Sequence, residues 1–82
     1  LREYGGLTAV IEGHTDSDGQ AATNLTLSER RAAVVRQAMI DRGVDAESMT
    51  AAGFGSTRPV LVNGLEDKTA SRRVEFRISA TP

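Results

Sequence analysis

The sequence predicts an α/β (α+β) fold, a two-layer sandwich in which a mixed β-sheet is backed by helices. Three observations carry that reading. Residues 7–12 are apolar and β-branched, a length and composition that suit a strand better than a helix. Residues 27–42 form the strongest helical stretch, with a start signal before it and a glycine after it. Residues 72–79 alternate apolar and charged side chains. The resulting order is strand, helix, strand, short helix, strand. A strand, a long helix and a second strand in succession suggest a βαβ unit with a parallel pair.

Each element has a local reason. Leu1 to Tyr4 resembles the end of a helix, because Gly5-Gly6 follows it as a C-terminal stop. The strand Leu7-Thr8-Ala9-Val10-Ile11-Glu12 is broken by Gly13. His14 to Gly19 is polar and turn-prone, and lies where α/β proteins often place ligands, at the C-terminal end of a strand. Thr26-Leu27-Ser28-Glu29 fits a capping box for the main helix, and Gly43 fits its stop. Asp45 to Ser48 reads as a turn and Met49 to Phe54 as a short strand. Pro59 to Asn63 reads as a loop or extended piece, and Leu65 to Ser71 as a short helix. In the last strand Val74, Phe76 and Ile78 share one face, while Arg73, Glu75 and Arg77 share a wet one.

Composition narrows the function classes. Residues 1–82 suffice for one small domain and are too few for two. Ten Lys/Arg stand against eleven Asp/Glu, so the basic excess of a sequence-independent nucleic-acid binder is missing. Nine of the ten cations are Arg, whose planar fork matches a carboxylate. The chain has no cysteine, which excludes disulfides, thiolate metal sites and a Cys nucleophile. No apolar run reaches the length of a membrane-spanning helix.

One arginine stands out. With Leu27 at zero on a helical wheel, Val34, Val35 and Ala38 cluster on the same side and Arg31 falls among them. Burying an unpaired guanidinium costs several kcal/mol, so Arg31 needs a fixed partner, a route to water or a cleft. Two structural explanations exist: a pair with Asp16 or Asp18 that pins the preceding loop, or a side chain that snorkels to solvent. The functional explanation is a clamp in which an Arg fork takes a carboxylate and an Asp takes an ammonium.

Other signals are weaker. A His14–Asp16 dyad can be drawn, yet no motif places a Ser or Cys nucleophile, so no enzyme activity is expected. Asp16-x-Asp18-Gly19 is similar to the opening of a calcium loop but lacks its later Glu, and no metal or cofactor is expected. Arg72, Arg73 and Arg77 are interleaved with Glu75 and few aromatics, which argues against a nucleic-acid face. Gly53-Phe54-Gly55 lacks the spacing of a phosphate loop and reads as a turn with Phe54 packed.

A longer pattern is more specific. Gly13-His14-Thr15-Asp16 is followed by Gly19, Asn24 and Leu27-Ser28-Glu29-Arg30-Arg31-Ala32. Gly43-Val44, Ala52-Gly53-Phe54-Gly55, Pro59, Asn63 and Arg72-Arg73-Val74-Glu75-Phe76 continue it in order. From about Val10 to Ile78 this resembles the OmpA-like C-terminal, peptidoglycan-binding domain of outer-membrane OmpA proteins, the Pal lipoprotein and flagellar stators.

The resemblance implies noncatalytic binding of peptidoglycan through the meso-diaminopimelate of its stem peptide, tethering a larger protein to the wall on the periplasmic side of the bacterial cell envelope. It implies Asp16 and Arg31 as the diaminopimelate ligands, Asn24 in the same pocket, and Thr15, Leu27, Arg72 and Val74 near it. Two departures bear on this expectation. Ser71 stands where the family commonly has Asn before the Arg pair, and its shorter side chain would weaken one polar contact to the peptide. The family fold begins with a strand and a full helix before the Gly-His-Thr-Asp strand, and residues 1–6 match only the end of that helix, so the rest is expected either outside these residues or lacking. Its absence would expose a sheet position and a packing face and favour pairing with a second copy as a homodimer. Any membrane attachment would come from other parts of the protein. The alternative is a domain of this fold that serves as a protein-interaction module and has lost wall binding.

Overall fold

The computed structural model describes residues 7–80. The helix end expected at Leu1 to Tyr4 lies outside the described residues. Strand β1 (Leu7–Gly13) leads through the 14–20 loop into helix α1 (Ala21–Asp41). A 3-10 turn (Ala46–Ser48) precedes β2 (Met49–Gly53). Two short strands, β3 (Leu61–Val62) and β4 (Leu65–Glu66), form a hairpin, followed by α2 (Lys68–Ser71) and β5 (Val74–Ala80).

The sheet is mixed, in the order β2-β1-β5. β1 runs parallel to β2, so the expected βαβ unit is present. It runs antiparallel to β5. Cross-strand partners share a face. Ala9 and Ile11 therefore lie with Met49 and Ala51 of β2 and with Ile78 and Phe76 of β5 on the helix side. The core is Ala9, Ile11, Ala32 and Met49, with Val35, Met39, Ile40, Val44, Ala51 and Val74 packed around it. Because α1 packs over β1 and β2, the apolar end of β5 stays open: Phe76 is 47% and Ile78 60% exposed. The charged face of β5 carries the more buried partner, since Arg77 reaches across to Glu12, which is 2% exposed.

Helix α1 starts six residues before Leu27. Its N-cap is Gln20, with no side-chain cap, and Thr26 lies inside the helix, where its Oγ1 donates to the Ala22 carbonyl. The expected capping box is therefore not formed; the helix-favouring Ala21 and Ala22 extend the first turns instead. The C-terminus is as expected. Gly43 takes φ +98°. Its N–H donates to Ile40 and that of Val44 to Met39, closing the last turn as a Schellman motif.

The buried stripe of α1 is Asn24, Ser28 and Ala32, continued by Val35 and Met39. Arg31 is exposed, and Val34 is 68% exposed. The wheel had centred the buried face near Arg31. Two buried polar residues, invisible to an apolar-only count, turn it away from that position.

Glycines permit the close approach of helix and sheet. Gly13 and Gly53 are register partners at the ends of β1 and β2. A Cβ on Gly13 would run into the Ser28 carbonyl, and one on Gly53 into the Glu29 backbone and the Ser28 hydroxyl. Beyond β2 the expected elements change. Asn63 and Gly64 both have positive φ and make the two-residue turn between β3 and β4. The helix expected from Leu65 is thus a strand first, and only Lys68–Ser71 is helical, capped by the Asp67 carboxylate on the Ala70 N–H.

Candidate functional site

The 14–20 loop leaves the central strand and is held on every side. The His14 N–H donates to the Arg73 carbonyl and the Thr15 N–H to the Gly55 carbonyl, both at 2.9 Å. The His14 ring is 1% exposed, stacks on Phe54 and sits 3.2 Å from the Glu12 carboxylate, a packing and hydrogen-bonding role. Thr15 Oγ1 donates to the Asp16 carbonyl at 2.9 Å. Asn24 Nδ2 donates to the carbonyls of Asp18 at 2.8 Å and Asp16 at 3.4 Å. The far side of the loop is tied to the hairpin and α2: Glu66 accepts from the Ser17 N–H and hydroxyl, and Lys68 pairs with Asp18 at 2.7 Å.

These ties fix Asp16. Its Oδ1 accepts the Asp18 N–H at 3.0 Å, and its Oδ2 accepts Arg72 Nη1 at 2.6 Å. The Arg72 guanidinium first, and the Asp18 N–H second, hold its carboxyl below the ordinary value of 3.8. The Asp therefore pairs with Arg72, the residue that follows α2, rather than with helix α1 as the loop-pinning explanation supposed.

Arg31 has a different setting. It makes no hydrogen bond or ion pair among the described residues, and it lines an open cleft of about 350 Å³ with Arg72, Arg73 and Val74. A second, almost wholly apolar cleft adjoins it, walled by Arg30, Arg31, Val34, Val35 and Val74. Arg31 thus needs no buried partner; it borders a cleft. Of the residues expected at the site, Arg31, Arg72 and Val74 share this cleft, and Asp16 joins it through Arg72. Thr15 and Asn24 do not line it; both are buried and support the loop through hydrogen bonds to its carbonyls. Leu27 is 37% exposed, one turn before Arg31 on the same helix face.

Sequence reasoning did not assign Arg73 to the cleft. Its fork is fully engaged: Nε with Glu75, Nη1 with the Ser71 carbonyl and Nη2 with the Arg58 carbonyl, the latter two at 3.1 Å. The adjacent Arg72-Arg73 pair was its only signal. Ser71 is fully buried; its hydroxyl donates to the Asp67 carbonyl at 2.8 Å and accepts the Val60 N–H at 3.0 Å. It therefore ties α2 to the segment before β3, and it is not among the residues that line the cleft. The arrangement offers the Arg31 guanidinium, without a partner among the described residues and with apolar surface next to it, on a cleft wall whose Arg72 holds the Asp16 carboxylate in place.

Comparison with known proteins supplies the context for that geometry. A family model described as "OmpA family" matches residues 4–73. Outer membrane porin F of Pseudomonas aeruginosa is 40% identical over 82 residues, covering 98% of this chain and 23% of that protein. The peptidoglycan-associated lipoprotein of Brucella melitensis is 40% identical over 62 residues, covering 76% of this chain and 37% of that protein. The chain therefore spans well under half of these relatives. Among solved structures, the peptidoglycan-associated lipoprotein from Burkholderia pseudomallei superposes with a TM-score of 0.79 at 32% identity, covering 89% of this chain and 63% of that one. The C-terminal domain of Helicobacter pylori MotB gives 0.80 at 26% identity, covering 92% and 59%.

Proposed function

Because the chain belongs to the OmpA family, we propose that it is a noncatalytic module that binds peptidoglycan and tethers a larger protein to the cell wall, on the periplasmic side of the bacterial envelope. The ligand group is the free end of diaminopimelate in the stem peptide. Arg31 takes its carboxylate with two hydrogen bonds, and Asp16 takes its ammonium. Arg72 and Val74 complete the cleft wall, with Leu27 beside Arg31. Thr15 and Asn24 serve by holding the loop that presents Asp16. The observation that carries this reading is the unpaired Arg31 on the wall of a cleft whose neighbouring Arg72 already holds Asp16. A relative whose name includes "peptidoglycan-associated" supports the choice of ligand.

The test is retention on purified peptidoglycan. Arg31→Ala and Asp16→Ala should each weaken binding about 10- to 100-fold, the range for a hydrogen bond to a charged group, while the fold survives. Arg31→Lys should also bind less well, because the fork is lost. Peptidoglycan with lysine in place of diaminopimelate lacks the distal carboxylate and should be held poorly. Undiminished retention of both alanine variants would sink the clamp, and would favour a domain whose partner is another protein.

A further inference from the structure

We propose that Arg72 is a resident counter-ion that the ligand's ammonium displaces from Asp16, and that the freed guanidinium then takes a second carboxylate of the same ligand. The cleft would thereby select a segment with two carboxylates and one ammonium over a simple zwitterion. This rests on the clamp reading above and extends it to specificity.

The charges at the cleft point to this exchange. Asp16 has both oxygens engaged, one by the Asp18 N–H and one by Arg72. Arg73 is matched by Glu75, and Lys68 by Asp18. Of the three guanidiniums that line the cleft, Arg72 and Arg73 each have a carboxylate partner and Arg31 has none among the described residues, so the cleft wall carries one unmatched positive charge. A zwitterion adds no net charge. If its ammonium replaces Arg72 at Asp16, two guanidinium forks then face one carboxylate, and one of them loses a charge-assisted bond. A second carboxylate restores a partner to each fork and brings the cleft to neutrality. Arg72 is free to make the exchange. Its side chain is 46% exposed, and besides Asp16 it holds, among the described residues, only the Thr69 hydroxyl, at 3.3 Å. Arg73 could not do so, since all three nitrogens of its fork are engaged.

The experiment is a calorimetric titration with two forms of one stem tetrapeptide, L-Ala-γ-D-Glu-meso-diaminopimelate-D-Ala. One form is unmodified; the other has the D-Glu α-carboxylate and the D-Ala carboxylate converted to amides. The wild-type chain should prefer the free acid by about tenfold, the scale of one charge-assisted contact. Arg72→Gln should bring that ratio close to one. It should also bind the amide form more tightly than wild type, by roughly threefold or more, because no guanidinium has to leave Asp16. Such a gain cannot come from misfolding, and Arg72→Lys, which keeps the charge, should retain part of the preference. Repeating the ratio at high salt separates a local contact from long-range attraction.

Equal binding of both peptides by wild type would overturn the exchange, as would a parallel loss of both in Arg72→Gln. In the latter case Asp16 accepts the ammonium beside Arg72 rather than in its place. Either result, with binding still dependent on Arg31, leaves the clamp standing. Failure of the wild-type chain to bind either peptide overturns both.

Discussion

The two halves of α1 are buried against the same sheet by different physics. The C-terminal half presents Ala32, Val35, Met39 and Ile40 to Ala9, Ile11 and Met49, and is held by apolar contact. The N-terminal half presents Asn24 and Ser28, and is held by hydrogen bonds at near-backbone distance. Ser28 Oγ donates to the Leu25 carbonyl at 2.7 Å and accepts the Gly55 N–H at 2.8 Å. Asn24 binds two loop carbonyls. The polar half adjoins the 14–20 loop and the Gly55 turn, and the apolar half adjoins the core. A helix can therefore be fixed firmly where no hydrophobic stripe announces it, provided small residues let the chains come close.

Three measurements bear on that contrast, in falling order of effect. Gly13→Ala forces a methyl into the Ser28 carbonyl and should cost about 3 kcal/mol or more in urea unfolding. A variant as stable as wild type would mean that the close approach is dispensable. Ser28→Ala leaves the Gly55 N–H without its partner and should cost about 1–3 kcal/mol. Met39→Ala, in the apolar half, should cost about 2 kcal/mol. The two losses overlap, but only Ser28→Ala should also weaken wall binding, since only it touches the glycine turn that holds the loop. Equal loss of binding in both would erase the distinction between the halves.

The smallest effect is on pH. Asp16 has a lowered pKa in the fold, so its link to Arg72 contributes stability above the ordinary 3.8 and loses it as pH falls through the lowered value. Binding should accordingly hold at pH 4 and be lost only as pH falls through that lowered value. Arg72→Gln should move the carboxyl titration, followed by NMR, up toward 3.8.

The same contrast explains what could be read from the sequence. β1, β2, the alternation of β5 and the Gly43 stop follow from local pattern and were legible. The helix start was not, because Asn24 and Ser28 are polar and buried, and hydrophobic periodicity counts them as solvent-facing. That omission also rotated the wheel and placed Arg31 in a buried stripe. Arg31 stands out in the structure for a different reason, its cleft and its lack of a partner among the described residues. The Asn63-Gly64 turn was a readable hairpin signal that the short-helix reading passed over. The Asp16–Arg72 pair spans 56 residues, and no local pattern encodes it.

The place of the loop in the sheet has a mechanical consequence. The loop continues β1, and β1 is the middle strand, bonded along its length to β2 on one side and β5 on the other. A pull applied through Asp16 runs along that strand and loads both ladders in shear, so many bonds share the force at once. Attachment through an outer strand would let them open one by one, like a zip.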